Sequence, residues 1–108
     1  MKWNGKEIEN PPNSIGRPVR PKNSPAGTKL TAKVIDVVGL LCDYNSEIYY
    51  KVFQLIQYHD KEMAYRFGYW RYNKKLRYWI WGQYTQMITR DEWKKLYKKA
   101  LRKGFFKR

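Results

Sequence analysis

The sequence predicts an α+β domain: two N-terminal helices, an antiparallel β-hairpin that can belong to a small sheet, and a basic C-terminal helix, preceded by a disordered arm. Three observations carry this expectation. All five prolines fall within residues 1–28. Two stretches between residues 30 and 60 repeat apolar side chains at helical spacing. Residues 62–88 place two aromatic and β-branched runs around the polar turn Tyr72-Asn73-Lys74-Lys75.

The first 28 residues scatter Pro11, Pro12, Pro18, Pro21 and Pro25 among Asn, Ser and Gly. Proline fixes φ, removes an amide donor and disfavours helix before it, so a flexible basic arm is expected here and a single domain over 29–108. Gly16-Arg17-Pro18-Val19-Arg20-Pro21 matches both a basic minor-groove hook and the PxxP spacing of adaptor ligands. A plain charged arm accounts for the same residues.

From Leu30 to Tyr44, the residues Leu30, Val34, Val37, Val38 and Leu41 follow helical spacing over three turns. The run Val34-Ile35-Asp36-Val37-Val38 suits a strand as well, and Gly39 weakens a helix by about 1 kcal/mol. Helix is the expectation, with strand the alternative. Ser46 to Asp60 reads as a second helix, with Asn45 or Ser46 as cap and Glu47 in the first turn. Its stripe of Ile48, Val52, Leu55, Ile56 and His59, with Phe53 alongside, reads as core. His59 there is a structural histidine.

The hairpin follows. A two-residue loop, Asn73-Lys74 or Lys74-Lys75, puts Tyr65, Phe67, Tyr69, Tyr78, Ile80 and Tyr84 on one face, with Leu76 beside the turn. The other face collects Arg66, Gly68, Trp70, Tyr72, Arg77, Trp79, Trp81 and Gln83. The first reads as core. The second mixes flat rings with guanidinium groups and is the expected functional face. Register is the sensitive step, since a slip of one residue inverts a strand's faces. Thr89-Arg90-Asp91-Glu92 then forms a capping box that opens the last helix. Trp93, Leu96, Tyr97, Ala100 and Leu101 form its buried stripe, and Gly104 ends it.

Charge narrows the function. Twenty-three Lys and Arg against nine Asp and Glu give a formal charge of +14 in 108 residues. Residues 62–108 hold fourteen of those cations, three acids and thirteen of the nineteen aromatic residues. Cations and rings concentrated together suit a polyanion whose bases can stack, hence nucleic acid. A single cysteine, Cys42, excludes an intramolecular disulfide and a cysteine-based zinc cluster in one chain. Glu92-Trp93-Lys94 imitates half of a nuclease motif but lacks the second carboxylate that a metal needs. No glycine-rich phosphate loop and no serine, histidine and acid constellation occurs. A non-enzymatic protein without cofactor or metal is expected. The opening residues have no apolar leader segment and no run is long enough to span a bilayer, so a soluble intracellular protein without membrane contact is expected.

The sequence therefore points to a single-stranded nucleic-acid-binding protein, for DNA or RNA. Trp70, Tyr72, Trp79 and Trp81 are the expected stacking residues. Arg66, Arg71, Lys74, Lys75, Arg77 and Gln83 are the expected phosphate and base-edge contacts. Lys94, Lys95, Lys98, Lys99, Arg102 and Lys103 extend the electrostatic track along the last helix. The alternatives are a protein-interaction module docking through the tryptophan-rich face and a duplex-DNA binder using the basic helix. Exposed strands also admit a homodimer by sheet continuation.

Overall fold

The protein is mostly β. The structure, a computed structural model, describes residues 1–19, 31–44, 47–82 and 87–108. A small hairpin, β1 (Lys2–Trp3) and β2 (Lys6–Glu7), opens the chain. A five-stranded antiparallel sheet follows in the spatial order β3 (Pro18–Val19), β4 (Ala32–Tyr44), β5 (Glu47–Tyr58), β6 (Met63–Asn73), β7 (Tyr78–Gly82). The sole α-helix among the described residues is α1 (Arg90–Arg102), followed by a 3₁₀ turn at Phe105–Lys107. It is not long and apolar enough to cross a membrane.

The two N-terminal helices expected from the sequence are therefore strands, and the reason is burial on both faces. In β5, the central strand, six consecutive residues from Lys51 to Ile56 are buried. A strand covered on both sides loses its alternation and reads as a continuous apolar run. Tyr49, Tyr50, Val52, Phe53 and Ile56 are then good strand residues whose spacing matches a helix by coincidence. In β4 the β-branched run prevails, with a bulge at which Ile35 and Asp36 together oppose Leu55. Gly39 costs little here. It sits beneath the ring of Tyr50 on the neighbouring strand, where a Cβ would collide with that ring. His59 lies exposed in the β5–β6 turn rather than on a core stripe.

The expected disordered arm is also corrected over residues 1–19. They cross one face of the sheet and are fixed by named contacts. Ile8 is buried among Ile48, Val52, Trp70, Tyr72 and Trp79, with Trp3 packed against the same cluster. The Glu9 carbonyl accepts from Trp79 Nε1 at 3.0 Å, and its carboxylate meets Arg77 at 3.2 Å. Buried Ser14 accepts from Gln54 Nε2 at 2.9 Å, and the Gln54 oxygen accepts from Arg66 Nε at 2.8 Å. The Gly16 amide donates to Val34 O, and the Val34 amide to Arg17 O. Pro18–Val19 completes the sheet edge beside β4, where a missing amide does little harm.

The opposite face carries α1, packed on β4 and β5. Val38, Phe53, Leu55, Leu96, Ala100 and Phe105 form its core. Ile8→Ala removes a fully packed side chain. Urea unfolding should then show a loss of about 2–4 kcal/mol. A neutral substitution would mean that the segment is not seated on the sheet.

Candidate nucleic-acid interface

The hairpin β6–β7 keeps the expected tryptophan face together through a different turn, which takes Arg77 off that face and into the loop. Asn73 pairs with Tyr78, leaving a four-residue loop, Lys74–Arg77. The Asn73 side chain accepts the amides of Lys75 and Leu76, its carbonyl accepts that of Arg77, and positive φ falls on Arg77. An even loop keeps Trp70, Tyr72, Trp79 and Trp81 on one face, with Trp70 opposite Trp81 and Tyr72 opposite Trp79.

That face is the one that the N-terminal segment covers. Trp70, Tyr72 and Trp79 are only 5–9% exposed and belong to the core around Ile8. Trp81 is half-buried, with Arg66 over its ring at 4.9 Å and Gly68 beneath it. Arg66 is tied to Gln54, and burial lowers its pKa below the ordinary value. Arg77 is exposed beside Glu9. Gln83 lies outside the described residues. Trp70, Tyr72 and Trp79 in this setting pack the sheet and offer no open face to a base.

The exposed rings lie on the other side, where the sequence suggests core. Tyr65, Phe67, Trp93, Tyr97 and Phe106 are each 38–49% exposed. They form a connected surface: Phe67 to Trp93 at 5.7 Å, Trp93 to Tyr97 at 5.7 Å, Tyr97 to Phe106 at 5.3 Å, and Phe106 to Tyr65 at 5.7 Å between centroids. Beneath them lies Phe53, fully buried and in ring contact with Tyr65, Phe67, Trp93 and Phe106. It stacks on Phe67 at 4.7 Å with planes 8° apart. Apolar rings left open in one connected patch are a candidate interaction surface.

Cations border this patch. At 100° per residue, Arg90, Lys94 and Lys98 form a row on α1 parallel to the row of Trp93, Tyr97 and Leu101. All three cations are exposed. Among the described residues, Arg90, Lys94, Lys98, Arg102 and Lys107 make no ion pair. Lys95 is also exposed. The remaining helix cations secure α1 to the sheet. Lys99 donates to Gly39 O at 2.6 Å, and Lys103 meets Asp36 at 3.2 Å, a carboxylate it shares with Arg108.

The start of α1 is anchored by a buried ion pair. Lys51, with 2% of its side chain exposed, meets Glu92 at 2.8 Å and also donates to Met87 O. The expected capping box is present, with the Glu92 carboxylate accepting from the Thr89 amide and the Thr89 hydroxyl accepting from the Glu92 amide. Cys42 Sγ donates to the same carboxylate at 3.0 Å. Burial alone would raise the Glu92 pKa, but the hydrogen bonds from Cys42, Lys51 and Thr89 and the Lys51 charge outweigh it and bring it to about 2. Burial, together with the Glu92 hydrogen bond and charge, pushes the Cys42 thiol up to about 12.

Arg71, Lys74 and Lys75 gather elsewhere on the sheet, with Glu47, Tyr72 and Asn73, around a cleft of about 220 Å³ at the hairpin end. Comparison of the chain with protein-family models, curated proteins and solved structures finds no match.

Two predictions follow from the Glu92 cluster. Its folded pKa lies below the ordinary 4.5, so the unfolded chain binds the proton first as pH falls. The stability it contributes is present above pH 4.5 and is lost towards pH 2. Glu92→Gln should cost about 3–5 kcal/mol at neutral pH by leaving the Lys51 ammonium without its carboxylate, and should flatten the acid limb of the stability profile. The Cys42 thiol should react with maleimide at pH 8 about a hundred-fold more slowly, or slower still, in the native protein than in urea. Equal rates would contradict the shielded thiol.

Proposed function

We propose that the protein binds single-stranded nucleic acid without catalysing a reaction, using the aromatic surface over Phe53 rather than the tryptophan face of the hairpin. The observation that carries this is the connected set of five exposed rings beside a cationic row that meets no acid among the described residues, on a chain of net charge +14. Bases stack on Tyr65, Phe67, Trp93, Tyr97 and Phe106, each stacked base contributing about 1–3 kcal/mol. Arg90, Lys94 and Lys98 neutralise phosphates along the edge. Duplexes hide their base faces, so a surface that works by stacking selects unpaired strands.

A labelled mixed-sequence 20-nucleotide strand and its duplex, titrated over a salt series, test this reading. The single strand should bind more tightly, with log affinity falling against log salt by about 0.7 for each phosphate neutralised. Trp93→Ala should weaken binding about ten-fold or more, whereas Trp79→Phe, on the covered face, should leave it unchanged. Preference for the duplex would move the contact to the cations of α1 acting in a groove. Absence of binding to either would discard the nucleic-acid reading and leave the patch as a protein-docking surface.

A further inference from the structure

The cleft at the hairpin end wraps the edge of the sheet, and its Arg71 and Glu47 lie on the same face as the exposed rings. Tyr65, Phe67, Tyr69 and Arg71 alternate along β6 and therefore project to one side, with Arg71 two residues before the strand ends at Asn73. From Tyr65 to Arg71 the strand runs about 20 Å at about 3.4 Å per residue. At its far end the cleft gathers Arg71, Lys74 and Lys75 against a single carboxylate, Glu47. Glu47 accepts from the Tyr49 hydroxyl and meets Arg71 at 3.8 Å, with both members of that pair about half exposed. An exposed pair at that separation is a weak one and yields to a stronger anion. The turn amides of Lys75 and Leu76 are already taken by Asn73 Oδ1, so an anion here would be met by side chains.

We propose that this cleft is a phosphate subsite for the same single strand, engaged only by strands long enough to run along β6 from the aromatic surface to the turn. The proposal rests on the reading of that surface as a nucleic-acid site. Glu47 orients Arg71 in the free protein and opposes the incoming phosphate, so it tunes affinity downwards. Oligonucleotides too short to span the two places are bound by the rings alone.

Oligo(dT) strands of 4, 8 and 12 nucleotides, titrated against the wild type and two variants, provide the test. Arg71→Ala/Lys74→Ala/Lys75→Ala should weaken binding of the 12-mer about ten-fold or more, and reduce its salt slope by about 2, while leaving the 4-mer within about two-fold. Glu47→Gln should tighten the 12-mer several-fold and leave the 4-mer unchanged, a gain that misfolding could not produce. Near-UV circular dichroism of both variants should match that of the wild type. Unchanged 12-mer affinity and slope in the triple variant, with Trp93→Ala still defective, would overturn the subsite and leave the proposed function standing. Equal losses at every length would overturn it too, since they would reflect overall charge. Failure of the wild type to bind any of the strands would remove both proposals together.

Discussion

The placement of α1 depends on one buried charge. Lys51 lies in the middle of the central strand, almost without solvent contact, and an ammonium there is tolerable only with a carboxylate and further acceptors beside it. Glu92 supplies the carboxylate while also closing its own capping box, so the residue that starts the helix is the residue that fixes it to the sheet. At the other end, Asp36 gathers Lys103 and Arg108. The bulge at Ile35 brings Asp36 to the helix side. Anchored at both ends to β4 and β5, α1 cannot also cover β6. The rings of Tyr65 and Phe67 stay open for that reason, and Trp93 and Tyr97 stand at the helix edge facing them.

The same constraint explains which parts of the fold the sequence could disclose. Thr89 and Glu92 announce the start of α1, and Gly104, at φ 73°, marks its end. These are local signals with local partners. The hairpin faces were legible too, because parity survives any even loop, although the loop has four residues rather than two. For β4 and β5 the local signal is ambiguous: a strand buried on both sides and a buried helix both read as apolar runs. What separates them is the pair of neighbouring strands, and pairing partners are not written in a window of fifteen residues. The high share of tyrosine and β-branched residues in β5 was the available clue.

Which face of the hairpin is covered could not be read from the hairpin at all. Trp70 and Trp79 pack in one cluster with Ile8 and Trp3, more than sixty residues away in sequence, from a segment whose prolines suggest disorder. Proline forbids regular hydrogen bonding but does not forbid packing. An irregular strand-like cover needs only a few anchors, here Ile8 in a hydrophobic slot and Glu9 and Ser14 on polar atoms of the sheet. Trp70, Tyr72 and Trp79 thus bring large apolar area to a core that a chain of this size otherwise struggles to fill. Arg66 and Arg17 lie over tryptophan rings on that side, the sort of contact that keeps a guanidinium close to apolar surface.

The cations of α1 divide along the same line. Those on the sheet side are consumed by structure: Lys99 on a carbonyl, Lys103 on Asp36. Those on the outer side, Arg90, Lys94, Lys98 and Arg102, meet no acid among the described residues. Like charges three and four residues apart on one helix repel, and a helix chosen for stability alone would intersperse acids among them. Asp91 and Glu92 stand in the first turn, where they complement the helix dipole, and no acid follows in the rest of α1. Among the described residues, the outer face therefore carries a repulsion that no acid relieves, immediately beside rings that stay exposed. A flexible polyanion bearing flat apolar bases would relieve both at once, and that coincidence on one surface is what the proposed single-strand binding rests on.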